Sequence, residues 1–336
     1  MLVDGIIVKL EESGLTGRGG ARFPTHLKWK MVKEAKAEKK YIICNAAEGE
    51  PGVFKDGYIL KNYPQEVVQG IKLALGAIDN STVAVSAYIY LRKDYYQRFK
   101  EELEKLTKSL PITLFKKTGG YLAGEETSLL EVIEGRRPAP RIKPPYPPQI
   151  GLFGYPTLVN NLETFYHVAQ IAEGKYKKTR FYSISGEVAN EGVYEFPEDY
   201  TVSQVLKETQ NWPDFRFFIQ SGGGASGEVL LPDELEQTVR GQGAIVVYNR
   251  QETDLFALME KWVNFFLKSN CDKCVPCREG VYRLAEMIEK RKLDKEILDD
   301  ILFVLEETSF CALGEGVVTP FRSLISKLRD GLGLKD

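Results

Sequence analysis

The sequence predicts an α/β layer built on a mostly parallel sheet, then a small α+β module and a terminal helical bundle. Three observations carry this. Over the first half, apolar β-branched runs alternate with helix-like segments, the pattern of a parallel sheet with crossover helices. From about residue 178 the pattern shifts to short strands and turns, and from about 252 it is helical to the end. The 336 residues suit two or three domains at roughly 150 residues each. We place the boundaries at 1–176, 177–250 and 251–336.

In order, YIICNA at 41–46, STVAVSAYIY at 81–90 and PITLF at 111–115 read as strands. PQEVVQGIKLALG at 64–76 and LRKDYYQRFKEELEKLTK at 91–108 read as helices, the second with one charged face. The Pro-rich stretch at 138–156 fits neither a helix nor a central strand and reads as an extended loop. Asn160 and Asn161 open a further helix, NNLETFYHVAQIAEG. RFYSISGEV, GVYEF, FRFFIQSG and GAIVVYN are strands of the small module, with VSQVLKETQ a helix between them. Val318, Phe321, Leu324, Ile325 and Leu328 lie at helical spacing, as do Val281, Leu284, Met287 and Ile288, which indicates a bundle.

Lys plus Arg is 45 against 47 Asp plus Glu, a net charge of −2. Nucleic acid and anionic membranes both require a basic excess, so neither is an expected partner. The first fourteen residues lack a basic lead-in and a cleavage site, and no apolar run nears the roughly 18 residues that span a bilayer. A cytoplasmic chain is expected, at the inner membrane face only through a complex. In that compartment clustered cysteines are metal ligands or redox groups rather than disulfides.

Cys271, Cys274 and Cys277 form C-x2-C-x2-C, and Cys311 follows after 33 intervening residues. Three thiolates at this spacing with a distant fourth are the ligand inventory of a 4Fe-4S centre. A structural zinc is the competing reading, although zinc favours paired knuckles or a Cys/His mix, and His26 and His167 lie far away in sequence. Lys273 and Arg278 can offset thiolate charge or serve as solvated surface groups; Cys44, alone in a strand, reads as a small buried apolar residue.

At the other end, SGLTGRGGARFP sets Gly14, Gly17, Gly19 and Gly20 before a helix starting near Pro24. Such a loop lets backbone amides approach a phosphate, with Arg18 and Lys28 adding charge, but it matches neither standard phosphate-loop pattern and a flexible turn stays open. NAAEGEPGVFKD carries Asn45, Glu48 and Glu50; GGYLAGEETSLLEVIEG sets Gly124, Glu125 and Glu126 at a helix start. Loops at strand ends of a parallel sheet bind cofactors, and amide side chains there suit a uracil-like heterocycle. Each loop taken alone also reads as caps and turns.

Taken together, GLTGRGGARFPTHLKW, CNAAEGEPGVFKD, GGYLAGEETSLLEVIEGRRPAPRIKPPYPP, PTLVNNLETF, CDKCVPCREG and SFCALGEG stand in one order. The chain resembles the flavin-bearing NADH dehydrogenase component of respiratory complex I (the 51-kDa family) over nearly its whole length. Relatives of that family occur in NAD-reducing hydrogenases, formate dehydrogenases and electron-bifurcating complexes. The resemblance implies a Rossmann-like flavin domain, a ubiquitin-like β-grasp module and a helical bundle with a 4Fe-4S cluster. It assigns Gly17, Arg18, Gly19, Gly20 and Lys28 to the FMN phosphate, and Asn45, Glu48, Gly124, Glu125, Asn160 and Asn161 to the rest of the flavin site. It assigns Glu50, Glu126, Phe23 and Tyr146 to NADH, and Cys271, Cys274, Cys277 and Cys311 to the cluster. It implies hydride transfer from NADH to FMN without a general base, then single electrons to the cluster and onward. The implied partners are a thioredoxin-like 2Fe-2S subunit and a larger iron–sulfur subunit.

Against the family pattern, Arg22 replaces a glycine, Ala47 a carboxylate near the flavin, and Met31 a phenylalanine of the dinucleotide sandwich. The family's usual N-terminal segment is also expected to be missing. Arg22 and Ala47 add two positive charges to the expected pocket. Either the site takes a more anionic donor such as NADPH, or FMN or dinucleotide binding is lost or altered and the chain is a relay or structural subunit.

Overall fold

The computed structural model describes residues 5–79 and 83–332. These form two compact units. Gly49 and the residues before it, with Phe54–Arg180, make the first; Glu50–Val53 and the chain from Phe181 onward make the second. Among the described residues no helix is long and apolar enough to cross a membrane.

The first unit is a mixed α/β layer. Helices α1 (Ile6–Ser13) and α2 (Thr25–Glu34) lead into β1 (Lys39–Ala46), then α3 (Lys55–Asn62) and α4 (Pro64–Ile78). Next come β2 (Ala84–Leu91), α5 (Lys93–Thr107), β3 (Ile112–Lys116), α6 (Ser128–Ile133), β4 (Thr157–Asn161) and α7 (Leu162–Ala172). The four strands are parallel in the order β3-β2-β1-β4. Alternation along β1 buries both faces. Ile43 joins Leu129, Leu130, Leu152 and Val159 in one cluster, while Ile42 and Cys44, pointing the other way, are also buried. Helix α4 buries Val67, Val68, Ile71, Ala74, Leu75 and Ile78 at helical spacing. It crosses α7 so closely that a Cβ on Gly70 would lie 2.0 Å from the Phe165 carbonyl oxygen.

Two sequence expectations are corrected here. Asn160 does not begin the helix; it and Asn161 end β4, and Asn161 alone opens α7 as its N-cap, its side chain accepting from the Glu163 amide. A five-residue strand after a Pro-rich loop carries little period of its own, and its pairing with the open edge of β1 decides its state. The helix expected from residue 91 begins at Lys93, because Leu91 still pairs in the sheet.

The second unit contains β5 (Thr179–Gly186), β6 (Gly192–Pro197), α8 (Val202–Glu208), β7 (Phe217–Gly222), β8 (Glu228–Leu230) and β9 (Ala244–Asn249). Their sheet has the order β6-β5-β9-β7-β8, with β5 and β9 parallel and β7 antiparallel to both neighbours. Val202, Val205 and Leu206 of α8 pack on Tyr182, Ile184, Phe217, Ile219, Ile245 and Val247. Helices α9 (Leu255–Ser269), α10 (Val281–Glu289), α11 (Lys295–Thr308), α12 (Ala312–Glu315) and α13 (Val318–Lys327) follow. Trp262 of α9 meets Phe321 of α13 edge-on, centroids 5.7 Å apart.

Candidate functional site

The chain leaves β1 towards β2 and β3 on one side, and returns to place β4 on the other. The strand order therefore reverses between β1 and β4, and ligands of open parallel sheets bind beyond the carboxyl ends of the strands at such a point. Pairing sets Cys44 opposite Asn160 and Asn45 opposite Asn161, so all three candidate asparagines stand at this switch point.

The glycine loop lies over it. The Arg18 amide donates to the Thr164 hydroxyl (3.0 Å) at the start of α7, and a Cβ on Gly19 would sit 3.4 Å from the Asn161 Cβ. Gly20 has φ 109°, which favours glycine. The Arg18 guanidinium is buried and donates to the Tyr176 hydroxyl and the Thr179 carbonyl. Lys28 on α2 donates to Glu126 (2.6 Å) and to the Val159 carbonyl (3.1 Å), with the Phe23 ring 5.9 Å from its Nζ. Trp29 Nε1 donates to Asn160 Oδ1 at 3.0 Å, and the Asn45 amide donates to the Gly124 carbonyl at 2.9 Å. The sheet switch thus gathers Gly19, Asn45, Gly124, Asn160 and Asn161. Lys28 and Glu126 pair beside it.

Glu125 accepts from the Thr127 and Ser128 amides and from Lys143. Burial pushes its carboxyl up, but Lys143 and these hydrogen bonds hold it below the usual range. Glu48 is buried and takes the Tyr95 hydroxyl and the Asp56 amide; desolvation, then the Asp56 charge, raises it to about 7. Both of its oxygens are thus engaged inside the first unit. Phe23 and Tyr146 are both exposed, and among the described residues no ring contact joins them. Glu50 belongs to the second unit. It is 3% exposed, and its oxygens take the Ser226 amide and hydroxyl and Gln242 Nε2.

Of the departures from the family pattern, Met31 is exposed and Ala47 buried. Arg22 is exposed with φ 52°, so what the site demands of residue 22 is a left-handed turn rather than close approach. The arginine therefore does not fill a closed space.

Two features escaped the sequence reading. Lys55, at most 1% exposed, pairs with Asp56 (2.7 Å) and Glu163 (3.0 Å) and donates to Asn161 Oδ1, while Asn161 Nδ2 donates to Asp56. Against burial, Asp56 and then Glu163 push the lysine up; likewise Lys55, then His167 and Arg18, hold Glu163 far below the carboxylate range. Lys117, after β3, is buried and donates to the Ala47 carbonyl at 3.1 Å. Charged residues in sequence read as surface, and nothing local marks these as buried.

In the second unit Cys274 and Cys277 are buried, with Cys271 and Cys311 half-buried. Cys277 lies in a π-helical turn, Pro276–Gly280, and Cys311 is the N-cap of α12. Burial, then the charges of Cys274, Cys311 and Cys271, pushes the Cys277 thiol up to about 12. Among the described residues no three His, Cys, Asp or Glu side chains stand close enough for a single metal ion. Arg278 spends its guanidinium on the Asp272 carbonyl and Glu279.

The family model of the Nuo51 FMN-binding domain matches residues 10–170, and that of the NADH-ubiquinone oxidoreductase-F iron–sulfur binding region matches 257–333. The NADH-quinone oxidoreductase F protein of Streptomyces coelicolor is 32% identical over 98% of this chain and 82% of its own length. The chain belongs to the NADH-quinone oxidoreductase F family. Within it, the F 2 protein of Rhizobium meliloti is 31% identical over 97% of this chain and 87% of its own. The HoxS alpha subunit of the NAD-reducing hydrogenase of Cupriavidus necator is 33% identical over 96% of this chain and 59% of its own. A chain of the air-oxidised NAD+-reducing [NiFe]-hydrogenase superposes with a TM-score of 0.89 at 32% identity, over 98% of this chain. The present chain spans 62% of that hydrogenase chain. For the cysteines, the match to an iron–sulfur region favours that reading over zinc.

Proposed function

We propose that the chain is the electron-input subunit of a multisubunit oxidoreductase, with FMN at the β1/β4 switch point and a 4Fe-4S cluster on the four cysteines. The observation that carries this is the convergence of the glycine loop, Asn45, Asn160 and Asn161 on one strand-order reversal, within the segment matched by the FMN-binding family model. FMN, when bound, supplies hydride acceptance from a nicotinamide and release of the two electrons one at a time.

The chain's own residues do the rest. Gly17 closes the loop, its amide donating to the Phe23 carbonyl, and Gly19 and Gly20 keep the next turn free of side chains for a phosphate; Arg18, which must then leave Tyr176 and Thr179, and Lys28 are the cations assigned to it. Asn45, Glu48, Asn160, Asn161 and the Gly124–Glu125 turn position the heterocycle and its polar tail. Phe23, Glu126, Tyr146 and Glu50 are assigned to NADH or NADPH. Lys28 must then exchange Glu126 for phosphate, and Glu50 must exchange its present donors. Cys271, Cys274, Cys277 and Cys311 supply four thiolates, the donor set of a 4Fe-4S cluster, none of them fully exposed.

The partition into an FMN domain (1–176), a β-grasp module (177–250) and a cluster bundle (251–336) is part of this reading. Two parallel strands in the middle of a five-stranded mixed sheet, with α8 packed against it, support the β-grasp assignment. The proposed partners are a thioredoxin-like 2Fe-2S subunit and a larger iron–sulfur subunit, because electrons leaving one cluster need an acceptor. Their complex would bring the chain to the inner face of the membrane. The exposed position of Arg22 and the family match through the glycine loop support retained FMN over a purely structural role.

The test is anaerobic purification and reconstitution of the full chain, with flavin and iron counted and flavin absorbance followed on adding NADH or NADPH. About one FMN and four irons per chain, with bleaching by either donor, is the expected result. A colourless, iron-free protein that takes up no FMN overturns the reading.

A further inference from the structure

Lys117 is a buried cation that the roles above do not use. It follows β3 at the carboxyl edge of the sheet, its amide donating to the Leu91 carbonyl, and its side chain reaches the loop after β1. Its Nζ donates to the Ala47 carbonyl at 3.1 Å and lies 3.8 Å and 3.9 Å from where a Cβ would stand on Gly124 and Gly49. The residue is 8% exposed. Among the described residues no carboxylate pairs with it.

The surroundings explain why. Position 47, where the family pattern sets a carboxylate, holds an alanine whose methyl faces Gly124 at packing distance. Arg92 is the like charge acting on Lys117, and its guanidinium is taken by Asp94 and by the Glu48 carbonyl. The Glu48 carboxylate is engaged by the Tyr95 hydroxyl and the Asp56 amide. Loop 47–49 and the 121–124 turn thus border a cation that, among the described residues, donates to a carbonyl and faces no carboxylate.

Isolating a charge this way is costly unless a ligand compensates it. We propose that Lys117 sets the reduction potential of the flavin, its ammonium favouring the negatively charged reduced state. The proposal rests on the FMN reading above. Hydride transfer moves two electrons and one proton from the nicotinamide, which leaves as the oxidised cation, so the acceptor gains one negative charge, which the ammonium stabilises in place of a further proton from solvent. A fixed cation in the cradle stabilises that added charge and raises the potential. Desolvation first, then Arg92, lowers the lysine to about 8, so the ammonium is present at neutral pH and lost above it.

The test is the flavin midpoint potential of the FMN-loaded full chain at pH 6.5 and pH 9.5, for wild type, Lys117→Met and Lys117→Arg. At pH 6.5, Lys117→Met should shift the reduction equilibrium about tenfold towards oxidised flavin, some 30 mV for a two-electron couple. Lys117→Arg should keep the wild-type potential there. At pH 9.5 wild type and Lys117→Met should converge, with Lys117→Arg above both because guanidinium keeps its charge. A purely structural lysine would alter stability without this crossing of profiles. Equal potentials for wild type and Lys117→Met at pH 6.5, or an offset identical at both pH values, overturn the inference. If Lys117→Met fails to hold FMN, wild type against Lys117→Arg decides: divergence above pH 8 supports it and superposed profiles overturn it. Wild-type protein that takes up no FMN overturns the flavin reading and this inference with it, an outcome distinct from a flavin-loaded chain with an unmoved potential.

Discussion

The Lys55 network invites a direct perturbation. Lys55→Met removes the cation that faces Asp56 at 2.7 Å and Glu163 at 3.0 Å, all three at most 2% exposed. At an effective dielectric constant near 20, each contact is worth roughly 5–6 kcal/mol of Coulomb energy. The variant avoids the full loss by taking up a proton. Keeping a carboxyl of ordinary value 4.5 protonated at pH 7 costs about 3.4 kcal/mol at about 1.4 kcal/mol per pH unit. The net destabilisation at pH 7 is then about 3–5 kcal/mol, in line with removing one partner of a buried pair. At roughly 2–4 °C per kcal/mol for a unit of this size, the melting temperature should fall by about 6–20 °C. The pH dependence carries the sign. In wild type the folded Glu163 holds its proton less tightly than the unfolded chain, so its stabilisation is full above about pH 4.5 and fades as pH falls. In the variant the buried carboxylates hold a proton more tightly, so the deficit should shrink as pH drops from 7 to 5.5. Thermal melting by circular dichroism at both pH values tests this, with Lys55→Met/Glu163→Gln expected to recover part of the loss. A fall below 3 °C at pH 7, or the same fall at both pH values, refutes the argument.

Other expectations follow from the geometry. Gly70→Ala drives a methyl into the Phe165 carbonyl, a backbone atom that cannot swing away, and should cost about 1–3 kcal/mol by chemical denaturation. Arg22→Gly relieves a left-handed backbone and should stabilise the chain by about 1 kcal/mol; a neutral or lower melting temperature counts against strain at that turn. Tyr95→Phe removes a donor to Glu48, which should titrate higher still and make stability fall more steeply between pH 4.5 and pH 7, read from urea unfolding across that window. Cys277→Ser should leave less than four irons per reconstituted chain while flavin content holds; full iron occupancy removes that thiol from the ligand set.

Much of the architecture was legible because burial leaves a period. Helix α4 shows helical apolar spacing, strand β1 a short continuous apolar run, and α13 its stripe from Val318 to Leu328. Strand β4 was not, since five residues ending in two asparagines carry as much cap signal as strand signal. For the site, Gly19, Asn45, Gly124, Asn160 and Asn161 were all singled out from loops, and the fold gathers them. Glu48 and Glu50 were singled out too, for the flavin site and the dinucleotide, and sequence did not show their present partners. One is turned inward to Tyr95 and the other taken by Ser226 and Gln242.

By itself the sequence determined the family, the alternation of strand and helix, and the C-x2-C-x2-C spacing with its distant fourth cysteine. These are local periods and fixed spacings, written along the chain. Only the tertiary structure decided that the strand order reverses beside Asn45 and Asn161, that Lys55 lies buried between two carboxylates, and that Lys117 reaches the Ala47 carbonyl rather than a carboxylate. The reason is physical. A charged side chain has no intrinsic preference that reveals burial, and its state depends on which distant groups the fold brings within a few ångströms.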